Sequence, residues 1–131
     1  MGQEFLEGNQ IVSAIVPVDL KTGANNGDWI SLKGHNRVLV VLFKGAGTAG
    51  DDPIFKLQQA TAVAGTGAKD LLFSVIRSKV GTQTGVGQFT RTTQTAATSY
   101  TDAVSAEAEA IIAVDIKAED LDVDNDFDCV R

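Results

Sequence analysis

"AEAIIAVDI", residues 108–116, decides the fold class. Read with a period of two, Ala108, Ala110, Ile112, Val114 and Ile116 point one way and Glu109 and Asp115 the other, which is the alternation of a half-buried strand. Read with the helical period, the overlapping "AVSAEAEAII", residues 103–112, places Val104, Ala108, Ile111 and Ile112 on one face, and Ala and Glu favour helices. The strand reading is preferred, and the rest of the chain agrees with it.

Upstream, "VLVVLF", residues 38–43, is apolar on both alternating faces. Such a run suits a strand covered on both sides, so 37–44 is expected at the centre of a sheet. "IVSAIVPV", residues 11–18, is β-branched and apolar, and Pro17, which donates no ladder hydrogen bond, puts this expected strand at an edge or a bulge. Further strands are expected at 29–33, 54–61, 71–79 and 87–92, with a last one starting near Phe127; "TGANNGD" and "GHN" supply turns. Short strands spaced by Gly- and Thr-rich turns predict an all-β fold, an antiparallel β-sandwich of jelly-roll type. The expected organisation is one domain over residues 11–131 behind a flexible N-terminal arm, residues 1–10, which suits a chain of 131 residues.

Charge narrows the partners. A net charge of −6 and a pI near 4.6 repel phosphate backbones and anionic lipid, so neither nucleic acid nor membrane is an expected partner. Cys129 is the one cysteine, which excludes an intrachain disulfide. The start, "MGQEFLEGNQ", is acidic and lacks the apolar block of a secretory signal, so synthesis in the cytoplasm is expected.

The motifs that carry chemistry elsewhere fail on context. Gly45, Gly47 and Gly50 in "GAGTAG" match a dinucleotide fingerprint, with Asp70 about twenty residues on, yet they run into Asp51, Asp52 and Pro53 where a phosphate-facing helix should open. The expectation is a glycine-rich loop between strands. In "EDLDVDNDFD", residues 119–128, a calcium loop starting at Asp120 would need glycine where Asn125 stands and glutamate where Arg131 stands, so a solvated acidic turn is expected. His35 is the one histidine and sits in a turn; acidic neighbours work against a nucleophilic Cys129; Glu107 and Glu109 are read as sharing one solvated strand face. No catalytic residue, cofactor site or metal site is assigned.

Two stretches carry a family likeness. "PIFKLQQATAVAGTGAKDLLFSVIRSKVG", residues 53–81, and "VDIKAEDLDVDNDFDCVR", residues 114–131, resemble a family of small virion proteins of tailed bacteriophages, through the "QA...GTGAK.L" turn and the late "D...DVDN.FD.VR" segment. The resemblance implies a structural role, that of a capsid decoration or cement protein on the outer head surface, with the major capsid protein as partner and self-association as a trimer or dimer. A tail or head-to-tail junction protein and a carbohydrate-binding sandwich are the alternatives. Contacts are expected from Phe5, Leu6, Ile11, Val12, Ile15, Val16 and Val18, together with one face of residues 38–43.

Overall fold

The computed structural model describes residues 2–103 and 105–131; Met1, at the tip of the expected arm, and Val104, a member of the alternative helical face, lie outside them. The strands are β1 (Ile30–Ser31), β2 (Arg37–Lys44), β3 (Ile54–Lys56), β4 (Gln58–Ala60), β5 (Lys69–Asp70), β6 (Phe73–Val80), β7 (Thr90–Ala97), β8 (Ser99–Thr101), β9 (Ala110–Lys117) and β10 (Cys129–Val130). All pairings are antiparallel, in the orders β1-β10-β4-β5 and β2-β9-β6-β7, with β3-β8 as a two-stranded ribbon. The fold is an all-β sandwich.

Period-two patterning builds the core. β9 buries Ala110, Ile112, Val114 and Ile116, while Val38, Val40 and Leu42 of β2 and Ile76 of β6 turn the same way. They meet Leu32, Leu57, Leu71 and Val130 from the other sheet, so two half-apolar surfaces cover one another. Phe55 of β3 sets its ring edge-on to Phe73 of β6, with centroids 6.0 Å apart at 85°, and ties the ribbon to this core.

β3 and β4 are two halves of one extended run. At the break, Leu57 bonds to the side away from β10: its N–H reaches the Thr98 carbonyl at 3.4 Å, and its carbonyl accepts from the Leu71 N–H at 3.0 Å. Gln58 bonds to the opposite side, exchanging both backbone bonds with Arg131. The expected strand 54–61 is therefore present with one interruption.

Three expectations are corrected. Residues 11–18 form no strand: the stretch up to Asp28 folds back beside them, but a single backbone bond, from the Asp28 N–H to the Ala14 carbonyl, joins the two and no ladder forms among the described residues. β2 is an edge strand rather than a central one: only Val38, Val40 and Leu42 face the core, and Leu39, Val41 and Phe43 face outward uncovered. The strand expected at 87–92 starts later and runs on through the threonine-rich stretch as β7, where β-branched Thr fits a pleated, half-solvated surface, and the preceding "QTGV" is the helical turn α2 (Gln83–Val86).

Candidate functional site

The apolar residues expected to make contacts all lie on the surface. Phe5, Leu6, Ile11, Val12, Ile15, Val16 and Val18 are between 42% and 79% exposed. None belongs to the core cluster or packs against it. The segment ahead of β1 holds one helical turn, α1 (Phe5–Gly8), in which the Glu4 N–H donates to Glu7 Oε2 at 3.1 Å, and a 3-10 turn at Leu20–Thr22. It folds back once, where the Asp28 N–H donates to the Ala14 carbonyl at 2.8 Å. Burial of such side chains is worth about 1.5–3 kcal/mol each, which this arm gains only against another surface.

The outer face of the sheet β2-β9-β6-β7 is the second uncovered region. Cross-strand register places Leu39, Val41 and Phe43 of β2 opposite Asp115, Ala113 and Ile111 of β9. Ala113 then pairs with Arg77 of β6, and Arg77 with Arg91 of β7. Like charges directly opposite one another disfavour the pair. Among the described residues neither arginine has an ion-pair or side-chain hydrogen-bond partner; Asp115, the acid on this face, is taken by Arg37 at 3.2 Å. Lys79 lies 4.9 Å over the Phe89 ring. The face thus divides into an apolar stripe on β2 and a cationic strip on β6 and β7, separated by the small Ala113.

The residues singled out for chemistry are occupied structurally. The glycine loop joins β2 to β3, and its N–H groups are already bonded: Gly47 to the Glu107 carbonyl at 2.8 Å and Gly50 to Glu107 Oε1 at 2.9 Å. Glu107 therefore clamps a loop and does not share a strand face with Glu109; it sits before β9 at φ 64°, in the left-handed region. His35 is exposed in the turn after Leu32, to whose carbonyl its N–H donates. Cys129 is buried in β10, and burial first, the Asp128 carboxylate second, push its thiol up to about 11, which disfavours the reactive thiolate.

The terminal aspartates serve their own turn. Asp122 takes hydrogen bonds from Lys69 and from Asn125 Nδ2, and the lysine above all holds its carboxyl below the usual range. Asp70 is lowered in the same way, first by Lys56 and then by Gln58. Lys69 also lies 4.1 Å over the Phe127 ring. No group of three or more His, Cys, Asp or Glu residues among those described is placed to hold a metal ion, and no described helix is long and apolar enough to cross a membrane.

Sequence reasoning missed one cluster. Lys44, at the end of β2, and Asp102, just beyond β8, meet inside the fold with Ser105, whose Oγ donates to Asp102 Oδ2 at 2.6 Å. Lys44 also donates to the Ala108 carbonyl at 2.8 Å. With every charge compensated, this cluster fastens the segment between β8 and β9 to the sheet. No protein-family model, curated protein or solved structure matches this chain.

Proposed function

We propose that this protein is a structural component of a tailed-phage virion, a capsid decoration protein that binds the outer head surface and stabilises it. The observation that carries this reading is the segment ahead of β1: its seven apolar contact candidates, Phe5 and Leu6 in the arm and five between Ile11 and Val18 beyond it, are all exposed and the core uses none of them. A segment of that kind gains stability only by covering a neighbour, as a lattice protein does at many identical contacts. The likeness of residues 53–81 and 114–131 to small virion proteins supports the same conclusion. The net charge of −6 favours the outer surface over one lined with DNA.

Jelly-roll connectivity belongs to this proposal. Taken as one strand, β3 and β4 lie between β10 and β8, so the chain reads β1-β10-β3/β4-β8 over β2-β9-β6-β7, with β5 as a hairpin addition. That order is shared by viral jelly rolls.

Capsids purified without this protein test the reading. Added full-length protein should decorate them in an even shell by cryo-EM, and a variant lacking residues 2–10 should bind more weakly with its fold intact. Label at a single pole would assign the chain to the tail or the head-to-tail junction, and binding of the truncated form at wild-type affinity would remove Phe5 and Leu6, though not Ile11 to Val18, from the contact.

A further inference from the structure

The arm and the outer face of β2-β9-β6-β7 complement each other. The arm, residues 1–10, carries Glu4 and Glu7 and no lysine or arginine, while the face carries Arg77 and Arg91, without an ion-pair partner among the described residues, beside Lys79. Spacing matches as well as charge. Glu4 caps the single turn α1 and its N–H donates to Glu7 Oε2 at 3.1 Å, which holds the two acids together; Phe5 and Leu6 lie between them on the turn. On the face, β2 and β6 are two strand positions apart, about 10 Å, which is close to the width of a helix. Between them lies Ala113, only 4% exposed under its neighbours, so an arm would rest on a closed surface rather than sink into a groove.

We propose that a second copy of this chain lays its arm across this face, with Phe5 and Leu6 on Leu39, Val41 and Phe43 and with Glu4 and Glu7 against Arg77 and Arg91. The seat removes three liabilities together. It covers the exposed apolar side chains of Leu39, Val41 and Phe43, a patch that otherwise invites non-specific association. It neutralises two arginines held side by side, and it buries the apolar half of α1. Exchange of arms would join copies on a shell and raise their retention through linked contacts. The inference goes beyond the decoration reading and is tested without capsids.

The test uses sedimentation velocity on the full chain over a concentration series, at low and high salt. Self-association that weakens with salt is expected. Arg77→Glu with Arg91→Glu, and separately Glu4→Lys with Glu7→Lys, should each weaken it by about tenfold or more, since reversing close charge pairs costs at least about 1.4 kcal/mol. Mixing the two variants restores a matched arm and face, so association should return in the mixture. Circular dichroism on each variant confirms that these surface changes leave the fold in place. A wild-type chain that stays monomeric at every concentration overturns the proposal, including the outcome in which the same face instead binds capsid protein. So does self-association indifferent to both reversals.

Discussion

Lys44 Nζ lies 3.4 Å from Asp102 Oδ2, and the two side chains are only 5% and 3% exposed. A buried pair of this kind adds little over an apolar replacement of both partners, but losing one leaves an uncompensated charge. Lys44→Met should therefore cost about 3–5 kcal/mol by urea denaturation. Adding Asp102→Asn should recover most of the loss, because the asparagine oxygen can still accept from Ser105. Equal losses in the single and double variants would show that the pair is not the source of the effect.

Tyr100 is buried beside this cluster, and its hydroxyl has no hydrogen-bond partner among the described residues. Burial first and Asp102 second raise its pKa. Removing an unsatisfied polar atom without changing the ring should help: Tyr100→Phe is expected to gain about 1 kcal/mol in the same assay.

Gly65 holds φ at +79°, and a Cβ there would fall 2.5 Å from Trp29 Nε1. Gly65→Ala combines backbone strain with a clash against the one tryptophan, for a loss of about 1–3 kcal/mol. The displaced indole also gives an optical signature, a shifted emission maximum in the folded state.

Cys129 gives the stability an alkaline limit. Its thiol has an ordinary value of 9.0 when unfolded and about 11 when folded, so between these pH values the native state keeps a proton that the unfolded chain has released. Stability is full below pH 9 and falls as pH rises toward about 11. Cys129→Ala should flatten this part of the pH profile measured by thermal melting.

The arm contributes little to the body. Deleting residues 2–10, which bury no side chain, should change unfolding free energy by less than about 0.5 kcal/mol. A larger loss would mean that the arm packs on its own domain.

Much of the sandwich was legible because three long strands carry their own pattern. β9 alternates as read, β6 lies over the expected 71–79, and β2 occupies 37–44. The misreadings share one cause. Residues 11–18 and the outer side of β2 are apolar enough to pack, but a strand also needs a neighbour, and strand propensity measures fit to a covered pleated surface. Two-sided apolarity in "VLVVLF" predicts two-sided burial, whereas Leu39, Val41 and Phe43 face outward uncovered. Phe5 and Leu6 stand out in the sequence by their mismatch with polar surroundings, and both are exposed in the fold. The cationic strip was hidden, since Arg77 and Arg91 meet only through the register of β6 and β7. Lys44 and Asp102 were hidden likewise by their distance along the chain.

Ile30 faces Val130, so the first strand of the body has its sole neighbour in the last. That sheet cannot be completed until residues 129–130 have left the ribosome, and closing so wide a loop makes assembly slow. Meanwhile β2 waits for β9 with both of its greasy sides bare. The nascent protein is thus most prone to clumping before β10 has emerged, and faster production should lower its soluble yield before any change in the finished fold is seen.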